Sequence, residues 1–170
     1  PHKRHTQFRK PDGSLFAEEL FSTEGFSNDY TLLYRIYEPT RIIRCEEPVN
    51  DMPRVAEEKM LKHRSLEGFN VKPEDDFLKS RKAVLVNGDC HIVLAAPRKS
   101  MTDYFFKNAD ADEMIFVHEG TGVLTTCYGE LRFGYGDYIV IPRGTTYQVS
   151  FDTDNNRLFI VESFHPIRYP

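Results

Sequence analysis

Three histidines fall on or beside segments that the sequence predicts as strands: His91, His118 and His165. Three imidazoles that converge in a fold could bind a transition metal, since the neutral ring nitrogen is a common metal ligand. His118, however, stands where a predicted strand runs into a turn, and His165 precedes a proline. Surface histidines, or core histidines held by a hydrogen bond, explain both positions. We favour that structural interpretation over a metal site.

The motifs of several other enzyme classes are missing from the sequence. It contains no G-x-S-x-G nucleophile elbow, no phosphate-binding loop, no Rossmann glycine pattern and no H-E-x-x-H pair. The formal charge is 22 minus 26, or −4, which disfavours a general nucleic-acid binder. Cys45, Cys90 and Cys127 are odd in number and form no C-x-x-C pair, so we expect reduced thiols and a cytoplasmic location.

Two glycine-bounded motifs give the second half of the chain a recognisable pattern. Residues 112–122 read DEMIFVHEGTG, and residues 136–147 read GDYIVIPRGTTY. In this order they resemble the two short motifs of a cupin, a small double-sheet jelly roll. The resemblance implies an all-β, cupin-like jelly-roll barrel, to which the sequence adds an extended N-terminal arm and a short helix.

The cupin resemblance also implies a metal-ligand set, and this sequence keeps little of it. Metal-binding cupins supply H-x-H and a glutamate from the first motif and a histidine from the second. Here the glutamate is Glu113, the H-x-H positions read Lys107-Asn108-Ala109-Asp110, and the second histidine is replaced by Tyr147. One carboxylate cannot hold iron or zinc usefully, so we expect a metal-free barrel without catalytic residues of its own. Candidate cavity residues are Glu113, Tyr147, Asn108 and Asp110, and we expect the Tyr147 hydroxyl to bond the Glu113 carboxylate.

Longer stretches resemble the bacterial form of the homogentisate 1,2-dioxygenase family. They are HKRHTQFRKPDGSL at residues 2–15, EELF and TEGF at residues 18–26, YFFKNADADE at residues 104–113 and PRGTTY at residues 142–147. The likeness is weakest between about Ile42 and Phe77. It implies that this chain is the non-catalytic first half of an enzyme whose second cupin half holds Fe(II) with two histidines and one glutamate.

Several properties follow as implications of that resemblance. The full-length enzyme would convert homogentisate and O2 to maleylacetoacetate in tyrosine and phenylalanine catabolism. Its partners would be the C-terminal cupin half of the same chain, a small aromatic acid as substrate, and further copies of the chain. We expect neither nucleic acid nor membrane as a partner. The alternatives are a stand-alone metal-free cupin that binds a small aromatic acid, or an oligomerisation module.

The elements that must position these residues are short strands. The 170 residues are 40% apolar and 28% charged, as in ordinary globular domains, and no apolar run is long enough for a transmembrane helix. Strand-like segments separated by glycine, proline and asparagine turns are typical of an antiparallel sandwich or barrel. They are listed here in chain order: Tyr30–Tyr37, Ala83–Val86, Cys90–Ala95, Met114–Val117, Gly122–Thr126, Tyr138–Ile141, Thr146–Phe151 and Leu158–Val161.

The first half of the chain is irregular by comparison. We assign residues 1–82 to an arm and extension, and residues 83–170 to the barrel core. The turn Pro11-Asp12-Gly13-Ser14 predicts a hairpin-like arm, and Arg54 to Leu66 contains enough helix formers for a short helix. The basic start His2-Lys3-Arg4-His5 is explained either by a solvated arm or, because apolar side chains follow it, by an arm that packs on a neighbouring subunit.

Overall fold

The computed structural model describes residues 6–39, 42–48, 50–57 and 62–168. Within these residues the chain forms an all-β fold of eleven strands and one turn of 3-10 helix, Gly68–Asn70. In chain order the strands are β1 (Ala17–Glu24), β2 (Ser27–Arg35), β3 (Lys82–Val86), β4 (Cys90–Ala95), β5 (Phe106–Lys107), β6 (Asp112–Glu119), β7 (Gly122–Thr126), β8 (Gly129–Phe133), β9 (Tyr138–Ile141), β10 (Thr146–Phe151) and β11 (Arg157–Ser163). They belong to two compact units, one that ends at Asp51 and one that begins at Met52.

The first unit contains the antiparallel hairpin of β1 and β2, which turns at Gly25. Leu20 lies opposite Leu32 in its register, and both side chains are largely exposed. Ahead of the hairpin, the predicted turn forms at Pro11–Ser14, where Gly13 has a φ of +84° and the Lys10 amide donates to the Ser14 carbonyl at 2.8 Å. Of the predicted arm, His2–His5 lie outside the described residues.

The second unit is a sandwich of two antiparallel sheets. The five-stranded sheet has the order β3-β4-β11-β6-β9, and the four-stranded sheet has the order β5-β10-β7-β8. This confirms the predicted cupin-like jelly-roll class. The sheets do not close into the predicted barrel, because no ladder in the described residues joins a strand of one sheet to a strand of the other. Side chains packed between the sheets hold them together instead.

Alternating side chains of both sheets fill the space between them. Val93, Ile160 and Ile115 lie side by side across β4, β11 and β6, and each is at most 2% exposed. Leu124 and Val149 face them from the four-stranded sheet and are equally buried. A void lined by Phe77, Ile115 and Leu124 has a volume of about 10 Å³, room for at most one water molecule. This void is too small to hold an aromatic acid.

Gly122 allows β7 to lie close to its two neighbours in the four-stranded sheet, β8 and β10. A β-carbon at this position would lie 2.0 Å from the Ser150 carbonyl oxygen and 2.7 Å from the Phe133 ring. No side chain can be accommodated there without movement of the β10 backbone. The close approach brings the Phe133 ring into the core.

The predicted strands and the observed ones agree best in the second half of the chain. Strands β4, β7, β9 and β10 have the bounds that the sequence predicted. The helix predicted at Arg54 to Leu66 does not form over residues 54–57 and 62–66, and residues 58–61 lie outside the described part of the chain. Its apolar stripe is thin, so a helix there would bury too little surface to be stable. No helix among the described residues is long and apolar enough to span a membrane.

Candidate functional site

A row of polar side chains crosses the inner face of the five-stranded sheet at one end of the sandwich. In the strand register His91 on β4 lies opposite Glu162 on β11, and Glu162 lies opposite Glu113 on β6. Each of the three strands alternates, with apolar side chains at the next inward positions. The period of two that builds the core therefore also turns these three polar groups inward.

Arg81 bridges the two carboxylates of this row. Its Nη1 donates to Glu113 Oε1 at 2.7 Å, and its Nη2 donates to Glu162 Oε1 at 2.7 Å. Like charges placed directly opposite one another destabilise a sheet. The planar guanidinium presents donors to both carboxylates at once, and its carbon lies 5.3 Å from the centre of the Phe77 ring.

Tyr147 reaches the row from the opposite sheet. Its hydroxyl donates to Glu113 Oε2 at 2.6 Å, and both side chains are fully buried. The rings of Phe77 and Phe106 pack edge-on against Tyr147, with centroids at 6.2 and 5.6 Å. Glu113 is thus bonded through both oxygens, and the bond ties the two sheets together at this end.

The charges of the row shift the pKa values of its members. Burial raises the pKa of the Tyr147 hydroxyl well above its ordinary value, and the neighbouring Glu113 carboxylate raises it further. Tyr147 is therefore a proton donor throughout the neutral range. Burial alone would lower the pKa of Arg81, but the Glu113 carboxylate and then Tyr147 and Glu162 outweigh it, so the pKa rises. Arg81 stays charged.

A short turn before β3 aims Arg81 at the row. Asp76 Oδ1 accepts the amides of Leu78 and Lys79 at 3.1 Å each, and Asp76 Oδ2 accepts the Tyr104 hydroxyl at 2.7 Å. Burial of Asp76 would raise its pKa, yet the hydrogen bonds from Tyr104 and Lys79 hold the pKa below its ordinary value. The charged carboxylate therefore stabilises the turn that carries Arg81.

The four candidate cavity residues have different surroundings. Glu113 and Tyr147 meet in the buried pair described above. Asn108 joins the row through its Nδ2, which donates to Glu162 Oε1 at 3.1 Å. Asp110 is exposed, and its backbone amide donates to Asn108 Oδ1 at 3.1 Å. Asp110 therefore lies on the surface next to the row, and its side chain is not part of it.

The three histidines that could have converged lie in separate surroundings. His91 Nδ1 is 3.5 Å from Glu162 Oε2 in the polar row. His118 packs against Phe69 with ring centroids at 5.1 Å, and His165 Nε2 is 3.5 Å from Asp89 on the surface. In the part of the chain that the structure describes, no group of three or more His, Cys, Asp or Glu side chains could hold a metal ion.

Sequence reasoning missed Arg81 and Glu162. Arg81 belongs to a charged stretch that resembles a connector, and nothing local marks it as buried. Glu162 does carry a signal: it follows Leu158 and Ile160 at inward positions of β11, and a charge there requires a partner. That signal predicts an ion pair for Glu162 but does not identify Arg81 as the partner.

Most acceptor oxygens of the row are engaged in hydrogen bonds. Both Glu113 oxygens already accept hydrogen bonds, and Glu162 is bonded by Arg81 and Asn108. A ferrous ion bound by two imidazoles and a carboxylate, as the family resemblance implies for the whole enzyme, does not fit this set. The row can fix the geometry of the sandwich through Glu113, whose two oxygens are both engaged, while Glu162 Oε2 faces the His91 imidazole at 3.5 Å.

One family model and two curated relatives match most of this chain. The model of the homogentisate 1,2-dioxygenase N-terminal family matches residues 9–169. A protein of Saccharolobus solfataricus whose name places it among the dioxygenases is 38% identical over 95% of this chain and 42% of its own length. Homogentisate 1,2-dioxygenase of Oryza sativa subsp. japonica is 30% identical over 88% of this chain and 37% of its own length.

The chain thus spans about 40% of the length of the curated relatives it matches. Among solved structures, a cupin-2 domain protein of Shewanella frigidimarina is 21% identical over 49% of this chain and 79% of its own, with a TM-score of 0.43. KdgF from a Halomonas species is 17% identical over 51% of this chain and 80% of its own, with a TM-score of 0.45.

Proposed function

This chain belongs to the homogentisate 1,2-dioxygenase N-terminal family, and from this premise we propose that it is the scaffold-forming first half of a ring-cleaving dioxygenase. The complete enzyme would convert homogentisate and O2 to maleylacetoacetate, in the cytoplasm, during tyrosine and phenylalanine catabolism. The observation that carries the proposal is the match over residues 9–169, together with relatives more than twice as long that bear dioxygenase names.

The polar row supports a structural role for this half. Iron-dependent oxygen chemistry needs a metal with open positions and a set of free ligands. The Glu113 and Glu162 carboxylates are already bound by Arg81, Tyr147 and Asn108. We therefore assign the Fe(II) to the second half of the longer protein, and expect no activity from this segment alone.

The hairpin of the first unit supports a second role, in subunit packing. A two-stranded sheet is marginally stable by itself in water. Leu20 and Leu32 pair across the hairpin, yet they are 43% and 52% exposed, and Tyr30 nearby is 68% exposed. We propose that another copy of the chain covers these side chains, so that the arm contributes to a homo-oligomer.

The test of the main proposal starts from the gene that encodes this sequence. We expect the reading frame to continue into a second cupin half with two histidines and one glutamate. The purified long product should contain iron and consume O2 with homogentisate, whereas the 170-residue chain should do neither. A stop codon directly after Pro170, a second half without those ligands, or iron bound stoichiometrically by the short chain would overturn the proposal.

A further inference from the structure

The two sheets of the sandwich differ in their outer faces. On the four-stranded sheet, the outward side chains of one row across β10, β7 and β8 are Gln148, Thr125 and Glu130. On the five-stranded sheet, one outward row across β4, β11, β6 and β9 consists of Leu94, Phe159, Phe116 and Tyr138. The next row along the same four strands consists of Ile92, Val161, Met114 and Val140. These two rows form the outer apolar face.

An antiparallel sheet with one face in water normally alternates apolar and polar side chains. The four-stranded sheet follows that pattern. The five-stranded sheet does not over β4, β11, β6 and β9, because the two rows carry no charged side chain on these four strands although the inner face already supplies the core. The first row ends in a charge only at the edge strand β3, where Lys82 lies opposite Leu94. Tyr138 is 66% exposed and Phe159 is 37% exposed in this chain. Val140 is 39% exposed and the other five side chains of the face are half-buried. A contiguous apolar patch that is accessible in this way marks an interaction surface.

The outer apolar face also has a groove at one end. The 3-10 turn at Gly68–Asn70 overlies the sheet there, with Phe69 against His118 at 5.1 Å between ring centroids. The groove has a volume of about 420 Å³; Leu94, Phe116 and Phe159 line its apolar part, and Glu67 and Arg157 also belong to its wall. That volume exceeds what a bulky apolar side chain needs. An inserted side chain would anchor a partner in the way that interface hot spots do.

We propose that the second half of the longer protein binds to the outer apolar face and covers it. This inference rests on the proposed function, since it requires that second half to exist. Relatives that match 95% and 88% of this chain have 58% and 63% of their length outside the match. Two rows without charged residues are typical of a permanent interface. A permanent interface needs a partner that is always present. A second half of the same polypeptide is such a partner, because it is made in equal amount with the first half and has a high effective concentration near it.

The test measures cysteine labelling on this face. Cys45, Cys90 and Cys127 are replaced by serine, and Phe159→Cys is introduced into the short chain and into the long product of the gene. Arg132→Cys, on the outer face of the four-stranded sheet with its parent side chain 83% exposed, is the matched control. We expect maleimide to label Phe159→Cys at least tenfold more slowly in the long product, and the control at similar rates in both. Tyr138→Cys, in the same row, is a second probe if Phe159→Cys fails to fold by circular dichroism.

The outcomes separate this inference from the proposed function. A gene without a second half contradicts the proposed function. A long product with iron and dioxygenase activity that leaves both face cysteines as reactive as in the short chain overturns the inference alone. Protection of both probes in the short chain as well, with a dimer by light scattering that Phe159→Lys dissociates, identifies a second copy as the occupant and also overturns it.

Discussion

Glu113 and Glu162 lie directly opposite each other on β6 and β11, and the single guanidinium of Arg81 donates 2.7 Å hydrogen bonds to both. Two carboxylates and one guanidinium leave a net negative charge on the three groups. The Tyr147 hydroxyl and the Asn108 amide supply neutral donors to the same carboxylates. The fully buried Glu113 and the partly exposed Glu162 are therefore stabilised by both ion pairing and hydrogen bonding. Three of the four predictions below concern these contacts and the turn that carries Arg81, and the fourth concerns the start of β7.

Removing the guanidinium should destabilise the fold strongly. In Arg81→Met, Glu113 stays buried without its ionic partner, which typically costs about 3–5 kcal/mol. Chemical denaturation with urea would measure the free energy of unfolding. The control is Arg132→Met, whose parent side chain is 83% exposed and 3.9 Å from Asp152; we expect a change of at most about 1 kcal/mol there. Equal losses in the two variants would contradict the role assigned to Arg81.

Removing the Tyr147 hydroxyl should cost about 1–3 kcal/mol, because Tyr147→Phe leaves Glu113 Oε2 without its donor. The pH dependence has a defined sign. The pKa of Tyr147 is raised in the folded chain above its ordinary value of 10.0, so its contribution is complete below that value. At higher pH the unfolded chain ionises first, and the contribution is lost. Urea denaturation of wild type and Tyr147→Phe should give free energies that converge above about pH 10; a constant difference would argue against this assignment.

The contribution of Asp76 to the free energy of unfolding should be larger at neutral pH than in acid. Its pKa is lowered in the folded chain because hydrogen bonds from Tyr104 and Lys79 outweigh burial. The stabilisation is present above the ordinary value of 3.8 and is lost as the pH falls through the lower folded value. Asp76→Asn should therefore lose about 1 kcal/mol at pH 7, and the loss should shrink in acid. Acid titration of the unfolding free energy measures this. A loss that grows toward low pH would be incompatible with the lowered pKa.

Gly122→Ala should destabilise the sandwich through steric overlap. The added methyl group would lie 2.0 Å from the Ser150 carbonyl oxygen, so the strands must separate, at a cost of roughly 1–3 kcal/mol or more. Gly88→Ala is the matched control, because no atom lies within 4 Å of its added carbon. Thermal unfolding followed by circular dichroism compares the two. Similar melting temperatures for both variants would show that the backbone adjusts easily at residue 122.

The strands of the second half could be predicted from sequence because each is a short apolar run between turn residues. Cys90–Ala95 and Tyr138–Ile141 are examples in which both bounds agree. β8 was missed, since Gly129–Phe133 contains two charged residues and lies at the edge of its sheet between two turns. Edge strands bury little, so their sequences carry a weak pattern.

The candidate site could be predicted only in part. Glu113 and Tyr147 stand in motifs whose order is recognisable, and Glu162 could have been inferred from its inward position on β11. Arg81 could not, because its side chain reaches partners 32 and 81 residues further along the chain. The local pattern of apolar and polar residues does not indicate contacts between residues so far apart in sequence. Only the folded arrangement brings a residue of the charged stretch into the core.

The turn at residues 76–81 limits which segment of this chain can be transferred to another gene as a folding unit. The first strand of the five-stranded sheet begins at Lys82. Arg81, the cation that pairs with the two carboxylates on the inner face of this sheet, precedes that strand. A recombination event that copied the sheets from residue 82 onward into another gene would transfer the buried Glu113 and the partly exposed Glu162 without their counter-charge. The smallest transferable module therefore includes the six residues ahead of β3, and gene fusions or circular permutations should preserve that junction.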